Sequence, residues 1–273
     1  MGRRAQGDDQ RVPEARLAGG PRCSRADHPR SWDGARAALA AAGFRAIAPY
    51  LRGYHPATVV EGRGYSALEI AEDAGALLDA LDLPSANLVG HDWGASVVWG
   101  AAALTPGRVD ALVPVAIPHP AALKPTPATA WYVRHFAGFK MPWAEAMARR
   151  NDFAYIEGLY GRWSPSWTGP ERDASVARVK AAFADPTVLH HALAYYRALS
   201  PRRPPELEAP ITARTLVVGG SEEPWGAGYA ATPDHVDGPC DVLIVEGAGH
   251  WPHREGEAEF IERLLAFLSP DAR

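Results

Sequence analysis

The chain has 273 residues, enough for one large domain or for a core domain carrying an insertion. Its formal net charge of -4 gives no electrostatic reason to expect nucleic acid or an anionic membrane as a partner. The two cysteines, Cys23 and Cys240, are too distant in sequence for a disulfide framework or a metal site. No apolar run approaches the roughly 20 residues of a membrane span, and none follows the basic start as in an export signal. We therefore expect a cytoplasmic protein.

Predicted helices and strands alternate from residue 31 to residue 120. In chain order, the pattern predicts a helix ending near Gly43, a strand over Phe44–Ala48, a helix from Ser66, a strand over Ala86–Gly90, a helix ending before Pro106, and a strand over Val109–Ile117. This alternation predicts a parallel sheet with helices on both of its faces.

The alternation breaks after Pro120. Residues 121–205 have a helical pattern, are rich in tryptophan and tyrosine, and show little strand signal. Residues 206–273 return to the sheet, with strands predicted at Leu216–Val218 and Val242–Val245 and a closing helix over Glu257–Leu268. We therefore expect an atypical segment over residues 1–30, a core in two parts over 31–120 and 206–273, and a helical cap over 121–205.

The most informative motif is Gly90-His91-Asp92-Trp93-Gly94, which lies between a short apolar run and a stretch of small residues. This order predicts a strand, a sharp turn and a helix, with the central side chain displayed at the top of the sheet. A carboxylate at that point suits displacement at a saturated carbon, which leaves an alkyl ester on the enzyme. The alternative is a glycine-rich loop in which the aspartate has no such role.

Two further motifs follow the last two predicted strands. Gly220-Ser221-Glu222-Glu223-Pro224 comes after one strand, and Gly247-Ala248-Gly249-His250 comes after the other. Adjacent glutamates before a proline are commonly a solvated turn, and a single histidine is commonly structural. Their joint occurrence in the order nucleophile, acid, histidine favours a catalytic triad.

From about Ser31 to its end, the chain resembles α/β-hydrolases of the epoxide hydrolase and haloalkane dehalogenase group. The resemblance is carried by four segments: residues 48–54, 89–95, 215–220 and 247–252. It implies an α/β-hydrolase parallel sheet with a helical cap insertion, and it requires neither a metal nor an organic cofactor. It also implies Asp92 as the nucleophile, His250 as the base and Glu223 as the acid, with Glu222 as the alternative acid.

The resemblance further implies that the substrate is small and apolar, an epoxide or a haloalkane, and that water is the second reactant. Residues 193–197 resemble the cap segment that carries a tyrosine acting on the ring oxygen, and Tyr196 is the matching position. Tyr132 is the best match for a second such tyrosine, with Tyr155 and Tyr160 as rivals. We expect Trp93 and His91 to contact the substrate. These features favour epoxide hydrolysis over dehalogenation.

The family pattern also implies three strands before the first helix and a His-Gly-x-Pro loop that supplies an oxyanion-hole N–H. Residues 1–30 contain neither the motif nor a strand-length apolar run. Losing one oxyanion donor costs about 10²–10³ in rate. We therefore expect N-terminal strands to be missing and the chain to be poorly folded or weakly active. The alternative to an active hydrolase is a truncated, non-catalytic relative. The sequence does not indicate the oligomeric state.

Overall fold

The computed structural model describes residues 29–269 of the chain. Its strands are β1 (Ala86–His91), β2 (Val109–Val115), β3 (Arg214–Gly220) and β4 (Cys240–Val245). Its α-helices are α1 (Asp33–Ala41), α2 (Ala67–Ala80), α3 (Trp93–Leu104), α4 (Pro127–Tyr132), α5 (His135–Phe139), α6 (Ala144–Trp163), α7 (Pro170–Phe183), α8 (Pro186–Ala198), α9 (Gly226–Ala231), α10 (Pro252–Glu255) and α11 (Glu257–Leu268). Single-turn helical segments lie at Pro29–Trp32, Pro56–Thr58, Pro106–Arg108, Pro120–Ala122, Pro205–Glu208 and Thr232–His235.

The described strands form one parallel sheet in the order β1-β2-β3-β4. Successive side chains of a strand point to opposite faces, so Val113 packs with α1 and α11 whereas Leu112 packs with α3. Both residues are fully buried. Because helices cover both faces, β2 and β3 are almost continuously apolar, as expected for a parallel sheet. The predicted α/β fold class is confirmed by this arrangement.

The segment Phe44–Ala48, predicted as a strand, joins no strand of the described sheet, so this prediction is wrong. A strand requires a neighbouring strand about 4.8 Å away to complete its hydrogen bonds. In the described part of the chain, β1 pairs with β2 alone. The apolar side chain of Phe44 instead packs against the core on the α1 and α11 face. The expectation of missing N-terminal strands concerns residues 1–28, which lie outside the described residues.

The stretch between β2 and β3 contains helices α4 to α8 and has its own aromatic core. That core includes Trp93 at the start of α3 and Trp251 after β4, so the helices pack against residues that follow two of the strands. A buried arginine helps to fix the neighbouring loop: Arg52 pairs with Asp73, and its carbonyl accepts a hydrogen bond from Tyr195 Oη at 2.9 Å. These contacts position α8 above the sheet.

Candidate active site

The turn between β1 and α3 displays Asp92. This residue has φ 52° and ψ −116°, a conformation that few non-glycine residues adopt. Its backbone N–H donates to the carbonyl of Val115 on the neighbouring strand at 3.1 Å, which anchors the turn. A Cβ at Gly90 would lie 2.2 Å from the carbonyl oxygen of Gly94, so glycine at position 90 permits the close approach of strand and helix. The Asp92 side chain remains 14% exposed.

His250 lies between two carboxylates. Its Nδ1 is 2.8 Å from Glu223 Oε1, and its Nε2 is 3.6 Å from Asp92 Oδ2. Each of the three residues directly follows, or lies in a loop that follows, a strand of the parallel sheet, and the carboxyl ends of such strands share one edge. The three side chains predicted from the sequence to form a triad therefore lie together, with the His250–Glu223 contact at hydrogen-bond distance and the His250–Asp92 contact somewhat longer.

The two adjacent glutamates have different surroundings. The side chain of Glu223 is fully buried, and its Oε2 accepts hydrogen bonds from Tyr229 Oη at 2.6 Å and from the Gly220 N–H at 3.3 Å. Glu222 instead contacts the hydroxyl and backbone N–H of Ser166, away from His250. A buried carboxylate needs such donors to remain charged. The geometry therefore gives the orienting contact to Glu223.

The charges of the site are coupled. Burial by itself would raise the pKa of Asp92, but contact with His250 outweighs it and lowers that pKa. Burial by itself would lower the pKa of His250, but the two carboxylates outweigh it and raise that pKa to about 10. The raised pKa favours a protonated imidazole between the two carboxylates. Removal of either negative charge would lower the pKa of His250.

Tyr196 lies on α8, among aromatic rings that face the site. Its ring meets that of Trp93 edge-on, with centroids 5.2 Å apart, and packs against Phe139 at 4.8 Å. Burial, with a further contribution from the charge of Asp92, raises the pKa of Tyr196 well above its ordinary value. Its hydroxyl therefore keeps its proton at neutral pH and can donate it in a hydrogen bond. An apolar cavity adjoins this residue; its lining includes Tyr54, Phe139, Leu159, Trp163 and Trp251.

The remaining sequence-predicted tyrosines lie at different distances from the triad. The Tyr132 hydroxyl is 3.5 Å from Glu223 Oε1, and its ring packs edge-on against His250 at 6.4 Å. Tyr155 packs against Phe139, and Tyr160 stacks on Trp251 at 4.1 Å. Of the three, Tyr132 alone is brought into contact with a triad residue by the described contacts. Its role as a second ring-opening group stays a prediction.

His91 is buried beneath the triad. Its Nε2 is 2.6 Å from the backbone carbonyl oxygen of His250. Because a carbonyl can only accept, this ring nitrogen carries a proton and donates it. The contact supports the loop that carries His250, and the described cavity lining does not include His91. Contact between His91 and the substrate therefore stays a prediction from the sequence.

The sequence analysis did not single out His135, which also lies near the site. Its ring packs against Trp163 at 4.8 Å and against Tyr196 at 5.6 Å. Burial lowers its pKa to about 4, although the charge of Asp92 acts in the opposite direction. The sequence gives no sign that His135 lies near the site, because this depends on which rings surround it in the folded protein. Among residues 29–269, no cluster of histidine, cysteine or acidic side chains could hold a metal ion.

Comparison with known proteins is consistent with this geometry. A family model for the alpha/beta hydrolase fold matches residues 19–155, which is half of the chain. The "AB hydrolase superfamily protein YfhM" of Bacillus subtilis (strain 168) is 29% identical over 84% of this chain and 82% of its own length. An "Epoxide hydrolase" of Caballeronia sordidicola is 29% identical over 87% of this chain and 83% of its own. The crystal structure of Epoxide Hydrolase A from Mycobacterium thermoresistibile matches with a TM-score of 0.72 and 26% identity, covering 88% of this chain and 86% of that one.

The parallel sheet and the relatives named epoxide hydrolase together show an enzyme of the hydrolase class. With the family model matching half of its length, the chain belongs to the α/β hydrolase fold family, and its relatives are epoxide hydrolase-like. No helix within residues 29–269 is long and apolar enough to cross a membrane.

Proposed function

We propose that this hydrolase opens an epoxide by forming an ester on Asp92, which water activated by His250 then hydrolyses. The observation that carries the proposal is the contact of His250 with both Glu223, at 2.8 Å, and Asp92, at 3.6 Å. An aspartate at the turn gives a nucleophile suited to a saturated carbon. Relatives named epoxide hydrolase support the choice of substrate.

In the first step, a carboxylate oxygen of Asp92 attacks one carbon of the epoxide ring. A carbon–oxygen bond forms to the enzyme while the ring carbon–oxygen bond breaks. The departing ring oxygen gains negative charge and takes a proton from the hydroxyl of Tyr196. Because burial holds the pKa of Tyr196 well above its ordinary value, the phenol is protonated and ready to donate at neutral pH.

Before the second step, the proton of the His250 imidazolium passes through solvent to the Tyr196 phenolate, which restores the phenol. The neutral imidazole then removes a proton from water, and the resulting hydroxide attacks the ester carbonyl of Asp92. The tetrahedral oxyanion is stabilised by backbone N–H groups, one of them from Trp93 at the start of α3. Its collapse breaks the bond to the substrate oxygen, which takes the proton of the imidazolium and leaves as part of the diol. The proton left on the Asp92 carboxyl then passes to His250, which restores the carboxylate and the imidazolium. Glu223 keeps the imidazole in the required tautomer throughout.

The charge of the site changes between the two steps. Ester formation neutralises Asp92, so one of the two carboxylates that raise the pKa of His250 no longer acts. The pKa of His250 then falls towards neutrality, where an imidazole accepts a proton most effectively. His250 therefore becomes able to act as a base at the ester hydrolysis step, where a base is needed.

We propose that the helical stretch over residues 121–205 is a cap that covers the triad and excludes bulk water. It carries Tyr132 and Tyr196, and its aromatic core meets Trp93 and Trp251. The cavity beside Tyr196 is lined by aromatic and aliphatic side chains and by no charged group, which favours a small apolar substrate. A cytoplasmic location stays a prediction from the sequence.

The test is to trap the ester. Replacing His250 by Gln leaves the Asp92 carboxylate available but removes the base, so incubation with small apolar epoxides should leave an adduct on the Asp92 peptide. Intact and peptide mass spectrometry would detect it. Glu222→Gln is the matched control and should turn over without an adduct. Full diol production by His250→Gln would contradict the proposal, and halide release from haloalkanes without diol from epoxides would favour a dehalogenase.

A further inference from the structure

We infer that Glu255 and Ser164 are positioning residues that hold the loop bearing His250 in its catalytic orientation. The name "Glu255 clamp" is used here for these two side chains together with the backbone of Gly249–Trp251. The inference rests on the proposed function, in which His250 activates water. Their hydrogen bonds to the loop go to its backbone N–H groups, so we infer that both act through the backbone.

The carboxylate of Glu255 binds the backbone N–H groups on both sides of His250. Its Oε2 accepts a hydrogen bond from the Gly249 N–H at 2.9 Å, and its Oε1 accepts one from the Trp251 N–H at 2.9 Å. Oε1 also accepts from the hydroxyl of Ser164 at 2.6 Å. Three donors therefore converge on one carboxylate, a number that its two oxygens can satisfy.

Ser164 binds the third N–H group of the loop, that of His250. Its Oγ accepts a hydrogen bond from the His250 N–H at 2.8 Å, and the same N–H also donates to the Trp163 carbonyl at 3.0 Å. All three consecutive N–H groups of the loop are thus bound. Ser164 directly follows α6, so the clamp ties the catalytic loop to the helical stretch above it.

The contact between the two segments is close enough to require glycine at position 249. A Cβ there would lie 2.2 Å from the carbonyl oxygen of Trp163 and 2.6 Å from Ser164 Oγ. Ser164 is 1% exposed, so water does not compete for its hydroxyl. Burial raises the pKa of Glu255, and the hydrogen bonds from Ser164, Gly249 and Trp251 oppose that rise.

Loss of the clamp should affect the two chemical steps unequally. Attack by Asp92 does not use the base, whereas hydrolysis depends on the position of the His250 ring. A glutamine at position 255 has one acceptor oxygen and an NH₂ group that faces an N–H donor, so it cannot bind both flanking amides. Because small misplacements of catalytic groups cost up to about 10²-fold, we expect ester hydrolysis to slow by roughly 10–100-fold.

The first experiment compares Glu255→Gln and Ser164→Ala with Glu246→Gln, a matched control at an exposed glutamate before the same loop. Rapid mixing with an epoxide and mass spectrometry would give separate rates for formation and hydrolysis of the alkyl-enzyme. We expect both clamp variants to accumulate the ester, with formation close to that of the parent. Equal slowing of both steps, or unchanged rates in folded variants, would overturn the inference.

A second readout does not depend on turnover. Proton NMR should detect the His250 Nδ1–H shared with Glu223, assigned by its absence in His250→Gln. We expect this signal, and the pH at which it titrates, to change in both clamp variants but not in Glu246→Gln. An unchanged signal in folded Ser164→Ala would overturn the inference even if Glu255→Gln fails to fold. If the parent opens no epoxide, the proposed function fails, while the NMR comparison still decides whether the clamp positions His250.

Discussion

At the scale of single residues, the site depends on one imidazole between two carboxylates. Glu223 contacts one ring nitrogen of His250 and Asp92 faces the other, which raises the pKa of His250 to about 10. The same ring must be neutral to accept a proton from water. The proposed mechanism resolves this conflict, because esterification of Asp92 would remove one of the two charges.

Asp92→Asn imitates the charge of the ester and should lower the pKa of His250. Opposite charges within about 4–6 Å commonly raise a histidine pKa by roughly 1–3 pH units, so a fall of that size is expected. NMR titration of the His250 ring in the parent and the variant would measure it. Glu222→Gln serves as the control, because Glu222 contacts Ser166 instead of His250. A titration unchanged by Asp92→Asn would refute the electrostatic account.

Tyr196→Phe removes the proton donor proposed for the ring oxygen while keeping the ring. Without that proton, the departing oxygen carries full negative charge, so diol formation should fall by about 10²–10⁴-fold, as is typical of a lost general acid. Steady-state assays with a small apolar epoxide would measure the loss. Tyr155→Phe is the matched control, since Tyr155 packs against Phe139. An equal effect of both substitutions would argue against a specific role for Tyr196.

At the scale of elements, the turn between β1 and α3 depends on one of its two glycines. A Cβ at position 90 meets the Gly94 carbonyl at 2.2 Å, whereas a Cβ at position 94 meets nothing within 4 Å. Gly94 lies inside α3 and is not among the glycines with positive φ. The turn therefore requires glycine at position 90, at the strand end, but not at position 94 in the helix.

Gly90→Ala should force strand and helix apart and destabilise the protein by about 1–3 kcal/mol, the usual cost of overpacking. Gly94→Ala should be neutral or should stabilise α3 by up to about 1 kcal/mol, because alanine favours a helix over glycine. Urea unfolding of both variants, followed by circular dichroism, would measure the difference. Similar stabilities for the two variants would show that the close approach at position 90 is relaxed in solution.

At the scale of the whole molecule, buried histidines link folding to pH. Burial lowers the pKa of His135 from 6.5 to about 4, so between these values the unfolded chain binds a proton that the folded chain excludes. Stability from this group is present above pH 6.5 and is lost as pH falls towards 4. The loss amounts to at most roughly 3 kcal/mol. His119, whose pKa burial also lowers to about 4, acts in the same direction.

His135→Gln should therefore reduce the loss of stability between pH 7 and pH 4.5. The free energy of unfolding, measured in urea at both pH values, should fall less in this variant than in the parent. His190→Gln is the control, because His190 is an exposed histidine whose side chain is 57% accessible. If the parent and His135→Gln lose the same free energy over this range, the ring of His135 titrates as freely in the folded protein as in the unfolded chain.

Several features followed from local sequence patterns alone. Apolar periodicity predicted the helix from Ser66, the helix over Glu257–Leu268 and the strand that precedes Asp92, all of which are confirmed. The order of Asp92, the Glu222–Glu223 pair and His250 predicted that these residues meet, because the carboxyl ends of parallel strands share one edge. Such patterns are readable since period and chain order are properties of the sequence itself.

Other features depended on partners that no local pattern contains. Phe44–Ala48 has the composition of a strand. A segment forms a strand only where a neighbouring strand completes its hydrogen bonds, and Phe44–Ala48 pairs with none of the described strands. The choice between Glu222 and Glu223 required the positions of Ser166, Tyr229 and His250. Burial and neighbouring rings likewise decided which tyrosine faces the triad.

The sequence by itself determined the class of fold, the family and the residue types available for chemistry, because these depend on period, spacing and chain order. The tertiary structure alone decided how those residues are held. Glu255 and Ser164 have no sequence signature, since a carboxylate becomes a clamp only when three donors, here from two segments of the chain, converge on it. Hydrogen bonding and burial act over a few ångströms in space, and Ser164 and Glu255, which meet at such a distance, are 91 positions apart along the chain.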